Sequence, residues 1–239
     1  MASPEQSSRT CLKMAATVLR SQHCLSHEGN WPSEDVLAHY CFSHRDIFRS
    51  KKVIELGSGY GLAGFVIAAV TEASEVVISD GNPQVVDYTQ RNIEANSGAF
   101  GDTVVKSMML HWNQEDTSSV ADTFDIIVAS DCTFFKDFHR DLVRTVKHLL
   151  SKTESSQALF LSPKRGNSLD LFLEVAEENG LHFTVTENYD KEVWKRHEGF
   201  LNGSDKDSWP SYETDSTILI HEGSNECEAD AAIHVKSDD

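Results

Sequence analysis

A strand, a glycine-rich turn, a helix and a second strand ending on an acid occupy residues 52–82, and this unit limits what the chain can become. Residues 53–56 (Val-Ile-Glu-Leu) form a short apolar run of the kind that makes a buried parallel strand. Gly57, Gly59 and Gly61 follow at alternate positions, and Leu62–Val70 is then apolar and long enough for a packed helix. A second apolar run, Val76–Ser79, ends on Asp80. Such a unit is the ligand-binding half of a doubly wound sheet, in which ligands lie beyond the carboxyl ends of the strands. Glycines let the backbone approach a ligand there. A carboxylate just over twenty residues later is placed to accept hydrogen bonds from two ribose hydroxyls.

The glycine spacing narrows the ligand. A dinucleotide fingerprint G-x-G-x-x-G needs glycine where Leu62 stands, which disfavours a nicotinamide-dependent oxidoreductase. Here the third glycine is Gly61, and Glu55 lies two residues before the first. The pattern E-x-G-x-G-x-G resembles motif I of the Rossmann-like S-adenosylmethionine-dependent methyltransferases. That cofactor has no pyrophosphate to seat on a helix N-terminus; its ribose and amino acid end ask for bare backbone and carboxylates. The blander reading, glycines that only make a tight turn, leaves Asp80 unexplained.

At 239 residues there is room for one domain with a full core. The longest apolar run, around Leu62–Val70, is about half of a membrane span. No continuous apolar segment opens the chain, so secretion is not expected. Residues 1–27 carry Arg9, Lys13 and Arg20 against Glu5, and a disordered lead-in is expected in preference to an organellar transit peptide. Five cysteines (Cys11, Cys24, Cys41, Cys132, Cys227), odd in number and without a C-x-x-C pair, read as reduced thiols of a cytoplasmic protein, nuclear as well in some settings. Neither His23-Cys24 with His27 nor Cys41 with His44 has a trustworthy zinc spacing, so no metal is expected. The formal charge of −17 argues against nucleic-acid binding, which needs a basic surface. A monomer without nucleic-acid or membrane partners is expected.

Taken in order, residues 1–29 have no sustained period beyond a weak helical stretch at Leu12–Arg20. Trp31-Pro32-Ser33-Glu34 is a helix start, with proline in the first turn and an acid after it, and the helix ends before Lys51. Asn82-Pro83 opens a helix through Ala95, and Thr103–Leu110 is a strand leading to His111-Trp112. Phe124–Asp131 reads as a buried strand ending on an acid, followed by a helix over Phe138–Ser151. Gln157–Ser162 is the next strand; Asn167 caps a helix that Gly180 terminates. His182–Glu187 is a strand, Lys191–Leu201 is helical, and Ser216–His221 is a short last strand pairing as a hairpin. Strand and helix alternate, so the fold class is α/β, a doubly wound, mostly parallel sheet of seven strands.

A second constellation follows the fourth strand. Asp131-Cys132-Thr133-Phe134 resembles the D-x-x-[YF] motif of the family 16 protein methyltransferases, a group dominated by lysine modifiers. Trp31–Ala38, Glu55-Leu56-Gly57, Asp80-Gly81-Asn82, Pro163–Asn167 and Glu187–Asp190 extend the resemblance over roughly residues 30–213. It implies S-adenosylmethionine as cofactor and calmodulin as protein substrate, with one lysine ε-amine methylated in repeated rounds to the trimethyl form. It implies a cofactor site at Glu55, Gly57, Gly59, Gly61, Asp80, Gly81, Asn82, Trp112 and Ser130, with Trp31 at its border. Asp131 and Phe134 would face the substrate amine. For Trp31 and Trp112 ordinary aromatic packing, and for Asp131 a helix cap, stand as the alternative roles. The implied domain runs over 30–221, preceded by a poorly ordered segment 1–29 and followed by a disordered acidic tail 222–239. Because calmodulin is acidic, Lys136, Arg140, Arg144 and Lys147 at helical spacing, with Lys164-Arg165, are candidates to meet it. A lysine methyltransferase for another protein, and a methyltransferase-like interaction protein without turnover, remain the alternatives.

Overall fold

The computed structural model describes residues 32–113, 120–163, 166–186 and 215–221, with isolated positions between 191 and 198. Trp31, Lys164-Arg165, both chain ends and most of the expected 191–201 helix lie outside the described residues. Seven strands pair into one sheet: β1 (Lys52–Leu56), β2 (Glu75–Asp80), β3 (Val104–Met109), β4 (Ile126–Ser130), β5 (Gln157–Pro163), β6 (His182–Thr186) and β7 (Asp215–His221). Their order is β3-β2-β1-β4-β5-β7-β6. The first five are mutually parallel, and β7 runs antiparallel between β5 and β6. The last strand is seven residues long and pairs on both edges, longer than the short strand expected from its sequence.

Strand order reverses between β1 and β4, which is where doubly wound sheets open a crevice for ligands. Helices α1 (Pro32–Ser43), α2 (Leu62–Val70) and α3 (Pro83–Ala95) precede or cross over between the early strands. Helices α4 (His139–Leu149) and α5 (Ser168–Glu178) follow β4 and β5. Side chains alternate across each strand. Val53, Val76, Ile78, Ile126, Val128 and Leu159 face one core with Leu37, Phe48 and Ile67. Ile54, Leu56, Val77, Ile127 and Phe160 face the other with Val143, Val146 and Phe172. The same alternation turns Glu55 toward the first core, under α2.

Two local expectations are corrected. Lys136 does not share a helix with Arg140, Arg144 and Lys147: two short 3-10 turns, Cys132–Phe134 and Lys136–Phe138, fill the segment between β4 and α4. Lys136 therefore lies outside α4, with its Nζ donating to Asn167 Oδ1 at 2.6 Å. That contact occupies Asn167, which makes no side-chain cap on α5. Lys147 Nζ is also engaged, donating to the Asn179 carbonyl at 2.6 Å; of the expected basic stripe Arg140 and Arg144 are exposed, Arg144 lying 3.5 Å from Asp141 Oδ1.

Phe160 is fully buried, 5.4 Å from Phe172, which in turn meets His139 edge-on at 5.5 Å. Phe160→Ala is expected to cost about 3–5 kcal/mol. Urea unfolding checks this: the midpoint should fall while the slope stays constant.

Candidate active site

The turn between β1 and α2 is set by three glycines with left-handed backbone, φ 59° at Gly57, 53° at Gly59 and 75° at Gly61. Two of them face different surroundings. A Cβ at Gly57 would stand 2.9 Å from Cys132 Sγ and 3.1 Å from Trp112 Cζ2, so the loop is pressed beneath the indole and against the turn after β4. A Cβ at Gly59 would meet nothing within 4 Å, and the backbone there is bare.

The loop is tied to β2 on its other side. Ser58 N donates to the Ser79 carbonyl at 2.9 Å, and Gly59 N donates to Asp80 Oδ2 at 3.0 Å. Asp80 Oδ1 accepts from Asn82 N at 2.8 Å. Each carboxylate oxygen thus holds one backbone donor and keeps acceptor capacity on a half-exposed side chain. Asn82 is exposed and caps α3, its Oδ1 accepting from Gln84 N at 2.9 Å. Gly81 is a close approach: a Cβ would lie 2.9 Å from His111 Nδ1.

Glu55 lies one layer below the cofactor floor that the sequence suggested. Its side chain is 1% exposed, and Oε2 accepts from Gly64 N at 2.9 Å, inside the first turn of α2. Glu34 of α1, 3% exposed, accepts from Leu62 N at 2.7 Å. Gly61 has no side chain to cap α2, so these two carboxyl groups take the helix's leading N–H groups instead. Gly64 is required for this, because a Cβ there would lie 2.6 Å from both Glu55 Oε2 and Ile78 Cγ1. Burial pushes Glu34 up to about 8, against the opposing effect of the Leu62 N–H. Burial, then the neighbouring Glu34, pushes Glu55 well above the usual carboxylate range. Glu55 Oε1 is buried without a hydrogen-bond partner.

The other wall comes from β4. Half-buried Ser130 ends the strand, and Asp131 follows in a left-handed conformation, φ 54°, its N–H donating to the Leu161 carbonyl at 2.8 Å. No side-chain cap forms from Asp131, so the helix-cap alternative does not describe it. Buried His139 bonds the Thr133 carbonyl through Nε2 at 2.7 Å, fixing the turn that carries Phe134. Phe134, Phe135 and Phe138 are 43–54% exposed. Phe134 and Phe135 meet edge-on at 5.6 Å, and Phe138 meets Trp112 edge-on at 6.3 Å. Half-buried Trp112 therefore bridges the glycine loop and this aromatic rim, its carbonyl held by Thr145 Oγ1 at 3.2 Å.

Sequence reading missed Glu34, Gly64, His111, Phe135 and Phe138. Glu34 showed only as a first-turn acid. Phe134-Phe135 lay between the expected strand and helix, and Phe138 was read as the first residue of that helix.

Folding raises the pKa of Glu34 from its ordinary 4.5, so its stabilising contribution is complete below that value and is lost as pH climbs through about 8. Asp35, Asp80 and Cys41 surround the Glu34–Glu55 pair, so the informative quantity is a difference between two proteins. Relative to Glu34→Gln, the wild-type chain is expected to lose unfolding free energy between pH 4.5 and 8. Chemical denaturation across that range checks this, and a pH-independent difference contradicts it.

Comparison with known proteins bears on this geometry. The chain is 64% identical over 183 residues to the calmodulin-lysine N-methyltransferase of Arabidopsis thaliana, covering 77% of this chain and 60% of that protein. It is 30% identical over 174 residues to methyltransferase-like protein 22 of Mus musculus, covering 65% of this chain and 44% of the relative. The chain thus spans less than two thirds of the length of either relative. Among solved structures, a ribosomal protein L11 methylase from Lactobacillus delbrueckii superposes with a TM-score of 0.54 at 15% identity, covering 81% of this chain and 80% of that one. A methyltransferase from Pyrococcus furiosus does so with a TM-score of 0.51 at 15% identity, covering 77% and 81%; these two likenesses establish the fold. A profile described as lysine methyltransferase matches residues 21–179. The chain belongs to the lysine methyltransferase family.

Proposed function

We propose that the chain transfers methyl groups from S-adenosylmethionine to a lysine ε-amine of calmodulin, in repeated rounds to the trimethyl form. The observation that carries this reading is the meeting of three strand tips. Gly59 N–H bonds Asp80, while Gly57 packs against Trp112 and against Cys132 beside Asp131. The relative from Arabidopsis thaliana supports calmodulin as the substrate.

The residues present fit the cofactor. Bare backbone at Gly59 and spare acceptor capacity on Asp80 suit a ribose and an amino acid end. Asp80 would hold the ribose, Asn82 and Trp112 would border the adenine, and Gly57–Gly61 would carry the amino acid end. When bound, S-adenosylmethionine supplies an electrophilic sulfonium methyl group. The lysine amine would take up that methyl, with the neutral thioether as the leaving group.

The amine must first lose a proton to water. From a pKa of about 10.4 this costs about 5 kcal/mol at neutral pH, at about 1.36 kcal/mol per unit. Alignment of bound reactants is worth about 7–11 kcal/mol, so positioning outweighs deprotonation and no dedicated base is needed. Asp131 orients the amine by a hydrogen bond; its charge favours the ammonium form, so placement is its contribution. Phe134 and Phe135 offer ring faces to a methylated ammonium, about 0.5–1 kcal/mol at an exposed site.

Two acidic proteins repel at long range, and the chain carries −17. Exposed Arg140 and Arg144, beyond the aromatic rim, are the cations best placed to offset this. Cys41 and Cys132 are buried free thiols, which supports a reducing cytoplasmic or nuclear setting.

Purified chain, labelled cofactor and calmodulin with its lysines intact or all replaced by arginine test the proposal. Label is expected on intact calmodulin alone. Label on other proteins instead would give a different substrate, and cofactor binding without transfer would give an interaction protein. Asp131→Ala is expected to lower kcat/KM about 100-fold with cofactor Kd unchanged. Asp80→Ala is expected to weaken cofactor binding at least about tenfold, and calorimetry showing equal affinity would contradict its assignment.

A further inference from the structure

The glycine loop is held from three directions, and one of them comes from outside its own strand–turn–helix–strand unit. Ser79 and Asp80 of β2 hold Ser58 and Gly59 through their N–H groups. Glu55 of β1 holds Gly64. Leu62, the residue directly after the last loop glycine, is held by Glu34, 28 residues upstream on α1. Three residues in left-handed backbone within five positions are costly to keep in one conformation, because glycine gives up more freedom than any other residue. A loop released at one end would spend part of its time in shapes that cannot bind. Apparent affinity falls in proportion to the fraction of time the binding shape is populated.

We propose that Glu34 is a positioning residue for the cofactor loop: from α1 it accepts the Leu62 N–H, holds residues 57–61 in their open form, and so sets the affinity for S-adenosylmethionine without touching it. This rests on the cofactor reading above. The chemistry at the site calls for a long side chain ending in an acceptor. Glu34 is 3% exposed, its Oε1 reaches the N–H at 2.7 Å, and a buried carboxyl is more stable in its uncharged form. An uncharged glutamine of the same length therefore preserves the contact. Aspartate keeps the acid but is one methylene too short to reach.

Full-length wild type and the variants Glu34→Ala, Glu34→Asp and Glu34→Gln are titrated with S-adenosylmethionine by calorimetry, and hydrogen exchange is followed at the 57–64 amides without cofactor. Alanine and aspartate are expected to raise Kd and cofactor KM about tenfold, about 1.4 kcal/mol, with kcat at saturation within about twofold and faster loop exchange. Glutamine is expected to bind within about twofold of wild type. A cap that served stability alone would lower the unfolding midpoint and leave Kd unchanged. A folded alanine or aspartate variant with wild-type Kd, or a glutamine variant as weak as alanine, overturns the proposal; should alanine not fold, the aspartate–glutamine pair decides. Wild-type affinity with no change in any variant sinks this inference alone, whereas a wild-type chain that does not bind the cofactor sinks both it and the reading beneath it.

Discussion

The hydrogen bond from the Gly59 amide to the Asp80 carboxylate joins the tips of two neighbouring parallel strands, and the rest of the site is arranged around it. It spans 21 residues and closes only because β1 and β2 run parallel in register, Ile54 opposite Val77 and Glu55 opposite Ile78. Parallel pairing puts both carboxyl ends on the same edge. The crossover helix α2 must then start immediately after the loop, with its leading N–H groups pointing into protein. An unpaired buried N–H costs about 1–3 kcal/mol, so the fold brings in two buried acids to meet them. The loop is therefore built between two sets of carboxyl groups: half-exposed Asp80 on the outer side, buried Glu34 and Glu55 on the core side.

Much of this was readable before any coordinates. Buried parallel strands are near-continuous apolar runs, and Val53–Leu56, Val76–Ser79 and Ile126–Ser130 each stood out for that reason. The left-handed turn was readable because only glycine holds such backbone at low cost. What stayed hidden depends on partners distant in sequence. Glu34 looks like an ordinary helix-start acid until α1 is laid against the N-terminus of α2. Asn167 has the local form of a helix cap, but Lys136, 31 residues away, takes its oxygen. The strand period did point Glu55 away from the cleft, since residues 53 and 55 share a face; the motif resemblance suggested a nearer role.

The segment after β4 shows a different limit. Apolar residues are usually read as core, and Phe135 and Phe138 carry no periodic signal that says otherwise. They remain exposed because Asp131 takes a left-handed turn and His139 holds Thr133 back, which leaves the aromatic rings at the rim beside Trp112. A rim of aromatic faces next to a carboxylate suits an alkylated ammonium, whose charge is spread over apolar carbon. Glycine loop and aromatic rim are thus separate constructions, joined where Cys132 and Trp112 press on Gly57.

A crystal structure of the chain with S-adenosylhomocysteine tests this arrangement most directly. The ribose hydroxyls should lie within hydrogen-bonding distance of Asp80, and the sulfur should point toward the turn formed by Asp131 and Phe134. A ligand seated elsewhere, or a ribose out of reach of Asp80, would contradict it.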